Sequence, residues 1–320
     1  MKTLIRKTME IAREKWLASI SLFLTATIVI LVGMQSIGSS ETRIDQTAAV
    51  AMPHALFRDV SLEAKAALVY DMHERAVLFE KNAETQLPLA SLTKVPLMLV
   101  VSEVLQPFDT VTISRDAVEK GEGGGLGTGD SWRVRDLVDF TLIRSSNAGA
   151  EALAEAAEPL LRAKYPDAPD TNTAVWRMNK LAQELGLAKT YFANPSGLDI
   201  GTTQPGAMGS ARDVATLFAH AVAVDQDLFS GTSDPNADLG PLNGSPSATI
   251  NTNDALPDIP GLVLGKTGYT DLAGGNVVVV FEVGPGHPVV VVVLGSSYDG
   301  RFKDMRSLVD RATKAIAQSL

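Results

Sequence analysis

Cysteine is absent from all 320 residues. That excludes disulfide bonds, thiol nucleophiles and cysteine-ligated metals. Histidine is scarce as well: His54, His73, His220 and His287 are scattered without ligand spacing, which supports neither a histidine-built metal site nor a Ser-His-Asp triad. Positive charge is in deficit, with 28 Lys and Arg against 37 Asp and Glu, a net −9. Five basic residues near the start (Lys2, Arg6, Lys7, Arg13, Lys15) against Glu10 and Glu14 give a local +3, which leaves −12 for the remainder. So acidic a body offers no footprint for nucleic acid and no basic face for a membrane surface. No internal repeat is evident.

One segment, Trp16 to Ser40, has no charge at all, and within it Leu17 to Met34 is mostly apolar. These 18 residues, at ~1.5 Å each, reach about 27 Å, close to a bilayer core. The basic flank then leaves the N-terminus in the cytoplasm and everything after Ser40 outside. A cleaved signal peptide is the competing reading, with Ser36-Ile37-Gly38 as its cleavage site, but the apolar run is long for an h-region. The expected organisation is a cytoplasmic basic segment (1–16), a single-pass transmembrane anchor (17–35), a tether (36–58) and an extracytoplasmic domain (59–320).

What the sequence does have is three short strings in one order: Ser91-Leu92-Thr93-Lys94, Ser145-Ser146-Asn147 and Lys266-Thr267-Gly268. Each has a bland reading when taken alone. Ser91 could cap a helix with Lys94 in solvent, the Ser/Asn string could be a helix joint, and the last string could be a strand end with a turn glycine. Together they form the set used by active-site serine enzymes that open D-alanyl peptides or β-lactams. Positions i and i+3 of a helix share a face, so a helix opened by Ser91 sets its hydroxyl beside the Lys94 amine. Its backbone N–H then lies at the positive helix end, where a developing oxyanion is stabilised. A serine hydroxyl needs a base, and Lys94 serves only when neutral, a state favoured by burial beside a second cation. Ser145 would relay a proton next to Lys94, and Asn147 would hold a substrate amide and the lysine head. Lys266 supplies positive charge, Thr267 a hydroxyl for an anionic group, and Gly268 a bare strand edge along which a substrate backbone can lie.

Around these strings the pattern alternates between sheet and helix. Lys65 to Glu80 reads as two strands around Met72-His73-Glu74, and the stretch from Ser91 to about Phe229 is mostly helical. Val134 to Ile143, Ala148 to Leu161 and Asn172 to Leu185 are its clearest helices, the last with Gly186 as its stop. Ser210 with Asp213 makes a capping-box-like start to another. Gly121 to Asp130 and Ser230 to Pro246 read as loops. Leu262 to Leu264, Asn276 to Val283 and Pro288 to Leu294 read as strands, the last two a valine-rich hairpin buried on both faces. Phe302 to Leu320 closes the chain as a helix, with Met305, Leu308, Val309, Ala312 and Ile316 as its apolar stripe. The expected fold is α/β: the first and last segments build one antiparallel sheet with packed helices, the middle a helical lobe, and the motifs meet at the seam.

The chain resembles the D-alanyl-D-alanine carboxypeptidases, the low-molecular-mass penicillin-binding proteins, from about Glu63 onward. The likeness takes in Ala64 to Asp71, Leu78 to Ala83, Leu87 to Lys94, Glu184 to Leu187, Phe192 to Leu198, Ser210 to Asp213, Asn251 to Asn253 and Lys266 to Asp271. The resemblance implies a β-lactamase/transpeptidase-like fold with a five-stranded antiparallel sheet and a helical lobe. It implies a peptidoglycan stem peptide as substrate, β-lactams as covalent inhibitors and no cofactor. It makes Ser91, Lys94 and Ser145 catalytic, and Asn147, Lys266, Thr267, Gly268 and Tyr269 substrate-binding, with the Ser91 and Tyr269 N–H groups around the oxyanion. Arg301 stands where relatives carry an arginine near the site, so it is either a ligand of the substrate carboxylate or a surface salt-bridge partner. Two departures stand out. Ala148-Gly149 replaces the family's Asp-Ala, and the sequence stops soon after its final helix, so no extra β-rich domain or amphipathic tail is expected.

The same residues would serve an endopeptidase of D-alanyl cross-links. A class A β-lactamase needs a deacylating Glu-x-x-x-Asn, and four residues after Glu184 stands Ala188. A non-catalytic wall-binding module would have lost a motif residue, and none is missing.

Overall fold

The computed structural model describes residues 55–318. The basic segment, the expected anchor and most of the tether lie outside the described residues.

Five strands form the central sheet: β1 (Ala66–Asp71), β2 (Ala76–Lys81), β3 (Leu262–Thr270), β4 (Gly274–Glu282) and β5 (Pro288–Ser296). Their order is β3-β4-β5-β1-β2, with every neighbouring pair antiparallel. The pairing of β5 with β1 sets Val291 opposite Val69 and joins the chain's last strand to its first. β3, which carries the third motif, is an edge strand.

The two-residue period of a strand sorts the valines onto opposite faces. Leu68, Val278, Val280, Val290, Val292 and Leu294 join the core of the helical lobe. Val69, Val277, Val279, Val289, Val291 and Val293 pack with Phe302, Met305, Leu308, Val309, Ala312 and Ile316 of the last helix. Both faces are therefore covered, which explains the nearly unbroken apolar runs in an antiparallel sheet. Each fully buried valine contributes roughly 1.5–3 kcal/mol of transfer free energy.

The helices are α1 (Lys94–Ser102), α2 (Arg115–Lys120), α3 (Val134–Ile143), α4 (Asn147–Lys164), α5 (Thr173–Glu184), α6 (Ala211–Val224) and α7 (Gly300–Ala317). Every residue of α1 but its last is buried, the mark of a helix at the centre of its lobe. Pro96 falls in its first turn, where a missing N–H costs nothing. Ser146 caps α4 by accepting from Gly149 N at 3.1 Å, and Ser210 caps α6 by accepting from Asp213 N at 3.1 Å. The Ser210 box is only half formed, because the Asp213 carboxylate accepts instead from Lys189 N and Thr190 Oγ1. Among the described residues, no helix is long and apolar enough to cross a membrane.

The stretch read as a loop, Ser230 to Pro246, differs from expectation. A 3-10 turn covers Asp227–Ser233, and Asn236–Leu239 pairs with Ser247–Ile250 as a two-stranded ribbon. Those strands alternate polar and apolar residues over only four positions each, Asn-Ala-Asp-Leu and Ser-Ala-Thr-Ile, and are largely exposed, so the surrounding Gly, Pro, Ser and Asn outweighed so short a pattern.

Candidate active site

Lys94 and Lys266 are 0 % and 1 % exposed and rank among the largest fully buried side chains. Each amine ends on a serine hydroxyl that is only partly covered.

Ser91 lies in a 3-10 turn, Ala90–Thr93, that runs directly into α1. In a 3-10 turn positions i and i+3 eclipse, and Lys94 Nζ lies 2.8 Å from Ser91 Oγ. The same nitrogen is 2.8 Å from Asn147 Oδ1 at the start of α4 and 2.9 Å from the Ser196 carbonyl. Burial lowers the Lys94 pKa to about 7, with Glu151 opposing the shift. Desolvation is thus the main cause; of the two causes expected from the sequence, burial and a second cation, burial is the one that lowers it. A neutral Lys94 donates two hydrogen bonds, to Asn147 and Ser196, and turns its lone pair to the Ser91 hydroxyl. That is the geometry of a general base.

Among the described residues, six other than glycine hold a left-handed backbone that side chains rarely adopt, and two of them stand at the motifs: Ala90 at φ +49° and Ser145 at φ +61°. One precedes the first motif serine and the other is the second. Such strain persists where surrounding structure over-determines it. Around Ala90 that structure is visible. A Cβ on Gly197 would fall 2.0 Å from the Ala90 carbonyl oxygen, so only glycine fits against the turn. On the other side a Cβ on Gly268 would lie 2.9 Å from Leu89 O and 3.2 Å from Ser91 N, which sets β3 directly beside the turn.

Ser145 joins α3 to α4. Its hydroxyl accepts from Lys266 Nζ at 2.9 Å, so the structure brings it to the second lysine, whereas the sequence had placed it next to the first. Lys266 also donates to the Thr267 carbonyl at 2.8 Å. Its pKa falls well below the ordinary lysine value, through burial first and then the charges of Lys94 and Arg301. Thr267 Oγ1 lies 2.7 Å from Thr252 Oγ1, and Thr252 bonds the Ile143 carbonyl at the end of α3 through its amide and hydroxyl.

Arg301, near the start of α7, is buried and forms no salt bridge among the described residues. Its Nη1 donates to the Gly268 carbonyl at 3.0 Å. The Tyr298 ring lies over its guanidinium at 4.3 Å, with Phe302 at 4.5 Å and Tyr269 at 5.9 Å. The surface salt-bridge reading is thereby excluded for this structure. Tyr269 itself is exposed and meets Tyr298 edge to face, centroids 5.1 Å apart.

Asn276 was missed by the sequence reading. Fully buried on β4, it donates to the Pro88 and Leu89 carbonyls at 3.0 and 3.1 Å and accepts from Gly295 N at 2.8 Å. It fastens the sheet to the segment that leads into Ser91. The available signal was a lone amide opening a run of valines, since a buried polar residue needs partners. The Ser196 carbonyl carried no side-chain signal at all.

Glu184 is held by Arg177 through two contacts of 3.0 Å, so its carboxylate is already engaged on α5. A cavity of about 600 Å³ at the far end of α1, lined by Val101, Leu105, Val138 and Asp139 among others, contains none of the motif residues.

The family model for D-alanyl-D-alanine carboxypeptidase, Peptidase S11, matches residues 49–298, and the chain belongs to that family. The D-alanyl-D-alanine carboxypeptidase DacB2 of Mycobacterium tuberculosis is 30% identical over 237 residues, 73% of this chain and 75% of that protein. DacF of Bacillus subtilis, also a D-alanyl-D-alanine carboxypeptidase, is 30% identical over 219 residues. That match takes in 66% of this chain but spans only about half (52%) of DacF. Among solved structures, Penicillin-Binding Protein D2 of Listeria monocytogenes in its ampicillin-bound form superposes with a TM-score of 0.66 at 30% identity. The match covers 79% of this chain and 98% of that one.

Proposed function

We propose that the protein is a serine-type D-Ala-D-Ala carboxypeptidase that removes the terminal D-alanine of peptidoglycan stem peptides through an acyl-enzyme. The observation that carries this reading is the pair of buried amines, each within 2.9 Å of a serine hydroxyl at the same seam. Neutral Lys94 takes the proton of Ser91 as its oxygen attacks the penultimate D-alanine carbonyl. The oxyanion lies between the N–H groups of Ser91 and Tyr269. The peptide C–N bond then breaks. Ser145, bonded to Lys266, relays the proton taken up by Lys94 to the departing amine, which leaves Lys94 neutral again, and Lys266 and Thr267 hold the carboxylate of the leaving D-alanine. Water gives a proton to neutral Lys94 as it attacks the ester, and that proton passes to the Ser91 oxygen as it leaves. A β-lactam follows the first half of this course and stays attached as an ester.

The charge-free segment 17–35 would anchor the chain in the membrane with the catalytic domain outside, where peptidoglycan lies. The charge pattern supports this topology.

A fluorescent penicillin tests the reading. It should label the wild-type protein covalently and stoichiometrically, and a folded Ser91→Ala protein should take no label. Persistent labelling of that variant would overturn the nucleophile assignment.

A further inference from the structure

The cavity at the far end of α1 is separate from the catalytic seam. Val101, on its wall, lies seven residues past Lys94 on the same helix, about 10 Å along the axis at ~1.5 Å per residue. At about 600 Å³ the cavity has the size of a small-molecule site. Val101, Leu105 and Val138 give it apolar walls. Phe108 also lines it and, at 75 % exposed, is the most exposed large apolar side chain among the described residues.

The charges around this space are unbalanced: Asp139, Asp225 and Asp227 line it against Arg135. Asp225 is engaged, accepting from Leu228 N at 3.0 Å, and Asp227 is exposed to water. Asp139, on α3, is different. It is half-buried, and among the described residues no hydrogen bond or salt bridge reaches its carboxylate. Burial raises its pKa to about 6; Arg135 opposes the shift, and Asp136 and Asp234 add to it. At neutral pH the fold therefore holds an ionised, partly desolvated carboxylate without a partner, which is costly. Gly231, in the 3-10 turn beside the cavity, makes room for it. A Cβ there would fall 2.4 Å from Asp139 Oδ1, and the Gly231 backbone is not left-handed, so space rather than conformation calls for glycine.

A carboxylate so placed calls for a cation. Among the described residues no three acidic or histidine side chains converge to hold a metal ion, and a bare ion makes no use of apolar walls. We propose that the cavity binds a small organic cation, an amine carrying an aromatic or alkyl body, whose ammonium group pairs with Asp139. A charge-assisted hydrogen bond supplies the missing partner. Val101, Leu105 and Val138 take the body out of water, and Phe108 adds an aromatic surface beside it. No motif residue lines the cavity, so the proposal does not rest on the acyl-transfer reading.

The test is a titration of the methyl-labelled protein, followed by NMR, with phenethylamine and with phenethyl alcohol, its neutral isostere. The amine should move the Val101, Leu105 and Val138 methyl signals with a Kd on the order of 1 mM or tighter. It should bind roughly 10-fold more tightly than the alcohol, and Asp139→Asn should remove that advantage. The amine keeps its charge throughout the neutral range, whereas Asp139 takes up a proton as pH falls through about 6. Amine affinity should therefore drop through that range while alcohol affinity stays flat. This arm needs no variant, and it decides the matter should Asp139→Asn fail to fold. Equal affinity for amine and alcohol, a flat pH profile for the amine, or signal changes confined to the surroundings of Ser91 would each overturn the proposal. So would a folded Asp139→Asn protein that still prefers the amine.

Discussion

The amine of Lys94 stands 2.8 Å from the hydroxyl of Ser91, three residues before it in the chain. A 3-10 turn feeding a fully buried helix produces that distance: the turn eclipses the two side chains, and the helix carries the lysine into the centre of the lobe. Burial then lowers the lysine's affinity for its proton, and proximity gives it a proton to take.

A pH dependence follows from the Lys94 pKa of about 7. Only the neutral amine acts as base, so acylation should rise with pH through about 7 and level off above it. The Glu151 charge opposes the loss of the lysine's proton, so Glu151→Gln should move this rise to lower pH. The pH profile of penicillin acylation for the two proteins is the check, and a shift to higher pH would contradict it. Stability obeys the same linkage. The folded pKa of Lys94 lies below its ordinary value of 10.5, so between those values the unfolded state binds more protons. The Lys94 contribution to stability should therefore rise as pH increases through that window.

The two lysines should separate by ligand. Lys94→Ala should stop acylation by every donor. Lys266→Ala should chiefly weaken donors that carry a carboxylate, by roughly 10²–10³-fold, the few kcal/mol of a desolvated ion pair. Rates with a D-Ala-D-Ala peptide and an uncharged thioester analogue decide it. Equal loss on both would assign Lys266 a share in proton transfer through Ser145.

Asn276 should matter to stability and chemistry together. Asn276→Val removes the side-chain partner of the Pro88 carbonyl and of the Gly295 amide, while the Leu89 carbonyl keeps the Leu92 N–H at 3.3 Å. Each buried group so orphaned costs about 1–3 kcal/mol. Urea denaturation should show a loss of at least about 2 kcal/mol, with slower acylation where the folded protein persists. An unchanged midpoint would show that these groups find other partners.

Much of this was legible in the sequence because periodicity and motif spacing carry it. The valine runs gave the hairpin, the stripe from Met305 to Ile316 gave α7, and the three strings gave the residues that meet at the seam. Other parts were hidden for physical reasons. The ribbon formed by Asn236–Leu239 and Ser247–Ile250 buries little and alternates over only four residues a strand, too short to stand out from a Gly/Pro/Ser/Asn-rich stretch. The partner of Ser145 depends on which lysine a left-handed loop faces, and spacing does not encode that. The Ser196 carbonyl is backbone, available from any residue type, and the covering of Arg301 depends on two rings folding over it. The anchor expected at 17–35 lies outside the described residues, so its test is biochemical. The full-length chain should resist high-salt extraction from membranes, and a mature N-terminus near Ser39 would show a cleaved signal peptide instead.

The most direct measurement is release of free D-alanine from a stem pentapeptide ending in D-Ala-D-Ala, by the wild-type protein and by Ser91→Ala. The account predicts stoichiometric D-alanine and a tetrapeptide product from the wild type, with loss of at least about 10³-fold in the variant. Cleavage of cross-linked muropeptides with no D-alanine from the pentapeptide would instead make the protein an endopeptidase. Undiminished release by a folded Ser91→Ala protein would contradict the mechanism itself.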